Sequence, residues 1–345
     1  MQPLVSVIIS IYNGEKYIAG CFDSLLTQSD FLEPVEIVIV NDGSTDNSDA
    51  LVREYIEKLS INYIVKYVNQ ENCGIGVARD AGVKQSTGSY IAFVDVDDYV
   101  ADDYISTICS QLIVNQTVDI VEISAHSFLD GASPFFDLHK LRTPYHGVVN
   151  QCVIDIRMRE RYWYAWSKVI KRDLLVESSF GQLRCFEDLM LYPFLYINAR
   201  FVSSIEKPIY FYRINAGSLS NNVSPEQVMS LVSAVKGRLL SVNDCDRVVV
   251  DEWRLVALIS IVSSLRSFLF SSLNPISAYL EYKKLFGMLK NVDDKNINRI
   301  VLRVFGVKLG ALIIFPFLSL LSVFFYKQSF LVKFVRNAVF RFTSL

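Results

Sequence analysis

Within its first 95 residues this chain alternates four short apolar stretches with three segments of helical spacing, and few folds accept that alternation. Residues 4–12 (LVSVIISIY) are continuous and β-branched, the mark of a strand buried on both faces. Asn13-Gly14 breaks the stretch, and Tyr17, Ile18, Cys21, Phe22, Leu25 and Leu26 then recur as the apolar stripe of a helix over 15–28. Residues 35–40 (VEIVIV) are a second buried strand, followed by Asn41-Asp42-Gly43-Ser44-Thr45-Asp46 and a helix through about Leu59. A strand over 61–68, a helix over 74–87 ended by Gly88, and a strand over 90–94 complete the series. The pattern implies an α/β fold, a doubly wound and mainly parallel sheet. Polar and glycine residues gather where strands end and helices begin, the edge at which open sheets bind ligands.

Beyond residue 100 the pattern loosens to a helix near 102–115, a strand over 118–123 and a loop-rich, aromatic stretch. The polar, turn-forming segment 215–225 (NAGSLSNNVSP) is the best boundary, and the chain beyond it reads as mostly helical. The expected domains are therefore 1–220, in halves 1–105 and 106–220, and a helical region 221–345. A chain of 345 residues has room for about two or three such units. Net charge is only −2, but no acid follows Asp294, and the last 51 positions carry eight Lys or Arg. The first 294 residues thus hold all 36 acids and 26 of the 34 bases, a net of −10, which argues against nucleic acid as a partner of the main body. Six cysteines show no CxxC pair, and His126, His139 and His146 form no recognisable ligand set. The N-terminus lacks a basic region followed by a long apolar run, so no signal peptide is expected and the catalytic body is placed in the cytoplasm.

The acidic run Asp95-Val96-Asp97-Asp98 follows the fourth strand. Strand alternation would turn Asp95 and Asp97 to one side and Val96 to the core. Standing alone, such a DxD reads as a solvated acidic turn; at a strand end, two carboxylates that repel each other suit Mg²⁺ or Mn²⁺, which leaves positions open for substrate phosphates. Asp42 sits at the carboxyl edge of the second strand, where it can accept hydrogen bonds from a base or ribose, whereas Asp46 reads as a helix cap. Gly74-Ile75-Gly76 with Gly82 is no dinucleotide fingerprint, because Arg79 stands where a third glycine is required. Arg79 itself is either a phosphate ligand or one half of a surface ion pair.

Four segments in order, VSVIISIYN, VNDGSTDNS, ENCGIGVARDAG and AFVDVDDY, resemble the family 2 glycosyltransferases of the GT-A fold, of the bacterial surface-polysaccharide type. Shorter likenesses follow at Trp166-Ser167-Lys168-Val169, at Phe186-Glu187-Asp188 and from Tyr212-Arg213 to Ser218. The resemblance implies a nucleotide-sugar donor, UDP by family habit, held across the strand ends. Ser10, Tyr12 and Asp42 would hold the nucleoside, Arg79 and Asp95 would lie near ribose and diphosphate, and Asp97 with Asp95 would take the divalent metal. Asp188 would be the general base, Glu187 its support, and Arg213 would meet the leaving phosphates. Ser10 and Asp80 depart from the family's usual Pro and Asn. The aromatics Tyr162, Trp163, Tyr164 and Trp166 suit either sugar stacking or core packing.

The implied reaction is an inverting transfer to a glycan hydroxyl, with a lipid-linked saccharide as acceptor. A nucleotidyltransferase would need a basic, glycine-rich loop after the first strand, where Glu15 stands instead, and a non-catalytic scaffold would not need so full a set of acids. Residues 309–326 carry no charge over 18 positions, with Pro316 in the middle and Lys308 and Lys327 on either side. Lys333, Arg336 and Arg341 then alternate with apolar residues. A single span would put those cations on the wrong side, so a re-entrant or interfacial helix is expected, holding the enzyme on the anionic cytoplasmic face of the membrane. A buried helix of the helical domain is the alternative, and residues 260–270 belong either to that apolar surface or to the core.

Overall fold

The computed structural model describes residues 2–28, 31–129, 136–137, 139–176, 180–181, 183–215, 223–243 and 252–314. They fall into two compact units, within 1–149 plus 162–222 and within 150–161 plus 223–345.

The first unit is built on one sheet. Strands β1 (Val5–Ile11), β2 (Val35–Asp42), β3 (Ile64–Gln70) and β4 (Tyr90–Asp95) lie in the order β3-β2-β1-β4, all parallel. Helices α1 (Glu15–Leu26), α2 (Ser48–Leu59) and α3 (Ile75–Gln85) connect them. Alternation along β1 sends Val5, Val7, Ile9 and Ile11 into a core with Ile18 and Phe22 of α1 and Val52 of α2. On the opposite face α3 lies so close that a Cβ on Gly82 would come within 2.4 Å of Ile8 Cγ2. The GT-A-like α/β reading holds, and the parallel half is where the sequence put it.

The third strand starts later than expected. Ser60, Ile61 and Asn62 wind down the end of α2 through N–H bonds to Ile56, Lys58 and Leu59, and Ile61 is 81% exposed, so pairing begins only at Ile64. Past β4 the sheet becomes mixed. The remaining elements are β5 (Tyr99–Val100), α4 (Tyr104–Val114), β6 (Ile120–Phe128), β7 (His146–Val148), α5 (Gln151–Glu160, in the second unit), β8 (Lys168–Lys171), α6 (Arg172–Val176), α7 (Glu187–Asn198) and β9 (Phe201–Arg213). Strand β8 runs antiparallel to both β4 and β6, β9 parallel to β6, and β5 and β7 antiparallel to β9. The loop-rich stretch therefore holds β7, β8 and β9 together with three helices.

The second unit is helical: α5, α8 (Pro225–Asn243), α9 (Glu252–Ser272), α10 (Pro275–Val292) and α11 (Asp294–Ile314), the last with a break at Gly306 (φ 70°). Residues 255–265 are buried without interruption, which assigns 260–265 to this unit's core; a helix apolar on all sides belongs in an interior. Among the described residues, Arg254–Ser272 is the one helix long and apolar enough to cross a membrane, and two-thirds of its apolar window is buried within the protein. Ile297, Ile300, Val301 and Val304 of α11 are buried too, and Arg303 pairs with Asp155 at 2.7 Å. The first part of the acid-free C-terminal segment is thus packed into the bundle; of the uncharged stretch expected at the membrane, 309–326, residues 309–314 end α11, and the remainder with the basic residues after it lies outside the described residues.

Candidate functional site

The loops after β1 and β2 are stitched together at the carboxyl edge of the sheet. Asn13, in the left-handed region (φ 49°), accepts from the Thr45 N–H at 2.8 Å, and its own N–H donates to Ser44 Oγ at 3.0 Å. Asp46 accepts from the N–H groups of Ser48 (3.0 Å) and Glu15 (3.1 Å), while Glu15 accepts from the Asn47 N–H (2.8 Å). Asp46 thus satisfies orphan donors at the starts of both α1 and α2, more than the single cap expected. Tyr12, on the rim of these loops, is 52% exposed and open to stacking. Ser10, beside Asp95 in the register, has a buried Oγ with no hydrogen-bond partner.

Asp42 is only 3% exposed and accepts from Gln70 Nε2 (2.8 Å) and from the Cys73 and Gly74 N–H groups (3.0 and 2.9 Å). In this conformation it fastens the loop after β3. Beside it opens a cleft of about 710 Å³, lined by amide and hydroxyl side chains that include Asn41, Ser44, Asn69 and Asn72.

Strand β4 ends at Asp95, and Val96 and Asp97 form a turn closed by the Asp98 N–H to the Asp95 carbonyl (3.0 Å). The alternation expected along Asp95-Val96-Asp97 therefore does not apply; the turn presents Asp97. Strand β9 grips that turn. Tyr210 OH donates to Asp98 (2.7 Å) and accepts from the Asp95 N–H (3.1 Å), and the Arg213 N–H donates to Asp98 (2.7 Å). Arg213 Nε donates to the Asp97 carbonyl (2.5 Å), and Asn215 Nδ2 to Asp97 Oδ2 (3.0 Å). Burial, then the neighbouring Asp95 charge, push Asp97 up to about 6. Arg213, expected to meet phosphates, is seated here as a holder of the turn, its guanidinium also over Phe128 (4.6 Å).

Arg79 is not in a surface ion pair. It is 4% exposed, with Nη2 on Asp95 Oδ1 (2.8 Å) and Nη1 on Glu187, so it ties α3 to the end of β4 and the start of α7. Gly76 permits this closeness, since a Cβ there would meet the Gly181 carbonyl at 2.5 Å. Asp80, the departure from Asn, accepts from the Phe180 and Gly181 N–H groups (2.9 and 3.3 Å) and so secures the same loop. Phe186 precedes the acid pair in the left-handed region (φ 64°), a strained setting that a bulky residue keeps only where its surroundings impose it. Burial, reinforced by Glu187 and opposed by Arg79, pushes Asp188 up to about 8. Tyr192, one turn further along α7, is fully buried and feels the charges of Arg79, Asp188 and Glu187, and its hydroxyl has no partner.

The aromatic bank settles mostly as core. Trp166 is 2% exposed and stacks on Tyr210 (4.6 Å) and Tyr164 (5.2 Å), and Trp163 is 5% exposed. The histidines remain apart, each with its own partner: Asp137 for His126, Ser127 for His139 and Ser203 for His146. Asp98, Tyr210 and Asn215 were missed by sequence reasoning. Asp98 completes the acidic run and Asn215 lies two residues past Arg213, but nothing local marks Tyr210.

No cluster of three or more metal-binding side chains occurs among the described residues. Asp95 and Asp97 still fit a hard divalent cation that draws its other ligands from phosphate and water, because Asp97 is half-buried beside a second carboxylate with a neutral amide for support.

Residues 6–134 match the model of glycosyl transferase family 2. This segment is a family 2 glycosyltransferase domain. Among curated relatives, glycosyltransferase GlyA of Streptococcus pneumoniae serotype 4 is 32% identical over 243 residues, 68% of this chain and 34% of that protein. Putative glycosyltransferase EpsH of Bacillus subtilis is 30% identical over 63% of this chain and 62% of its own length. The chain therefore spans less than two-thirds of the length of these relatives. The crystal structure of residues 1–349 of Staphylococcus aureus TarS superposes with a TM-score of 0.67 at 20% identity, covering 95% of this chain and 92% of that one, which establishes the likeness of fold. The family 2 match ends at residue 134, ahead of the Glu187-Asp188 pair that Arg79 brings to the strand ends.

Proposed function

We propose that the protein is an inverting, metal-dependent glycosyltransferase that moves a sugar from a UDP-sugar to a hydroxyl of a glycan acceptor, in the synthesis of a cell-surface polysaccharide. The observation that carries this reading is the Arg79 bridge, which joins the DVDD turn to buried Glu187, and so to the neighbouring Asp188, at one edge of the sheet. Support for the donor comes from TarS, whose structure has been solved with UDP-GlcNAc. Support for the acceptor class comes from the same relative, a poly(ribitol-phosphate) β-N-acetylglucosaminyltransferase 26% identical over 69% of this chain.

In this mechanism Tyr12 stacks on the base, and Ser10 and the Asp42 loop border the nucleoside. Asp95 and Asp97 hold the divalent ion that GT-A enzymes commonly use, which supplies positive charge for the leaving diphosphate. Arg79 keeps Asp95 and Glu187 in register and stays charged while doing so. Asp188 accepts the proton of the acceptor hydroxyl, a step typically worth ~10²–10⁴-fold. One base on the side opposite the leaving group gives a single displacement and inversion. An acceptor on a lipid carrier, reached from the cytoplasmic membrane face through the basic segment beyond residue 314, completes the proposal; its support is the absence of acids after Asp294. The test is transfer from UDP-sugars with and without Mn²⁺, with the product anomer read by NMR. Transfer at full rate in EDTA, or a retained anomeric configuration, contradicts the proposal.

A further inference from the structure

The acidic turn after β4 is fastened at both ends, and one buried hydroxyl joins those ends to each other. Tyr210 of β9 is fully buried, and its OH donates to Asp98 Oδ2 at 2.7 Å while accepting from the Asp95 N–H at 3.1 Å. Its ring lies flat on that of buried Trp166, with centroids 4.6 Å apart and planes 12° from parallel. A phenol packed in this way has little freedom to move. The first and last acids of Asp95-Val96-Asp97-Asp98 are therefore tied to the same oxygen atom.

The sheet holds the flanks of the turn. Before it, Asp95 stands in register with Ser10 of β1, and its carboxylate takes Arg79 Nη2 at 2.8 Å. After it, Tyr99 and Val100 pair with Phe211 and Tyr210 of β9. Across it, the Asp98 N–H donates to the Asp95 carbonyl at 3.0 Å. Asp98 is buried and accepts from Tyr210 on Oδ2 and from the Arg213 N–H on Oδ1 (both 2.7 Å), so the third acid is an anchor and not a cation ligand. Val96 and Asp97 are left as a short span between fixed ends, with the Asp97 carboxylate oriented by Asn215 Nδ2 at 3.0 Å.

Divalent cations respond differently to such a support. Mg²⁺ demands near-octahedral oxygens at about 2.0–2.1 Å, whereas Ca²⁺ takes more ligands at about 2.3–2.6 Å in a flexible arrangement. Carboxylates that cannot move apart favour the smaller ion. We propose that Tyr210 is a positioning residue that sets cation selectivity, because its hydroxyl keeps the turn from widening and so makes Asp95 and Asp97 prefer Mg²⁺ to Ca²⁺. The inference rests on the reading of Asp95 and Asp97 as the cation's carboxylates and adds what governs their choice of ion.

Calorimetry of UDP into the full chain, without divalent ion, with Mg²⁺ and with Ca²⁺, tests it. Wild type should bind UDP at least about tenfold more tightly in Mg²⁺ than in Ca²⁺. Tyr210→Phe keeps the ring on Trp166 and removes only the hydroxyl. It should bind UDP without metal as wild type does, while the preference for Mg²⁺ falls to within about twofold, a change of the size expected for one hydrogen bond to a charged group. A general loss of folded protein would lower binding in both ions and leave their ratio alone. Asp98→Asn still offers an oxygen to the Arg213 N–H but weakens the bond from Tyr210 by removing its charge, so it should lose the preference in part. An unchanged preference in Tyr210→Phe overturns the inference, and if that variant does not fold, an unchanged preference in Asp98→Asn does so. Equal UDP affinity of wild type in Mg²⁺ and Ca²⁺ also overturns it. UDP affinity that neither ion raises contradicts the cation reading itself.

Discussion

The two ends of the same sheet treat buried carboxylates in opposite ways. At the amino edge, Glu36 of β2 is fully buried, accepts from Ser6 (2.5 Å), the Thr87 N–H and the Thr87 hydroxyl (both 2.8 Å), and pairs with Lys66 at 2.6 Å. Burial works to raise it, but those donors more than reverse the effect and hold it below its ordinary value. At the carboxyl edge, Asp97, Asp98 and Asp188 are crowded by other acids, and burial with that crowding pushes all three up. The difference teaches where to look for function. A carboxylate with every lone pair occupied is part of the scaffold. Carboxylates stored at a cost in one place await a cation or a proton.

The comparison breaks most sharply at Asp188. Asp188→Asn should lower turnover by about 10²-fold or more while UDP affinity stays within a few-fold of wild type, read by steady-state kinetics beside calorimetry. Comparable turnover would make Asp188 a scaffold acid like Glu36. Glu36→Ala should do the reverse, costing about 2–4 kcal/mol in urea unfolding by stranding four partners, with UDP affinity unchanged in whatever protein remains folded. A loss below about 1 kcal/mol would show that the amino-edge cluster is not the anchor described.

Asp97→Asn removes a penalised charge and should stabilise the metal-free protein at pH 7 by about 1–3 kcal/mol. A melting temperature below wild type would deny that the turn stores repulsion. pH sharpens the contrast by its sign. The native state holds the Asp188 proton more tightly than the unfolded chain does, so stability from this group falls as pH rises from about 4 to about 8. Glu36, depressed in the native state, contributes above its unfolded pKa and loses that contribution as pH falls through its native value. Asp188→Asn should therefore flatten the decline in melting temperature between pH 4 and 8. In wild type, kcat/KM should rise through the same window as the base loses its proton.

Legibility in the sequence follows how local each interaction is. The four parallel strands could be read because burial on both faces demands continuous β-branched runs, and VEIVIV and VSVIISI are such runs. Strands β5 and β7 are two and three residues long and gain their partners from β9, so no periodicity betrays them. Within the site, the DVDD run and the Glu-Asp pair stood out as motifs. The Arg79 bridge between them spans 108 residues, and the Tyr210 relay to Asp98 spans 112, distances that composition and spacing do not encode. Of the uncharged C-terminal stretch 309–326, the six described residues end α11, a helix of the bundle. A truncation meant to probe membrane attachment must start after Ile314, leaving that helix in place.

Calorimetry of UDP with and without Mn²⁺ on wild type and Asp97→Ala tests most directly whether cation and nucleotide meet at the DVDD turn. The expected result is that Mn²⁺ strengthens UDP binding to wild type at least about tenfold and leaves the weaker binding to Asp97→Ala unchanged. Equal enhancement by Mn²⁺ in both proteins would contradict it.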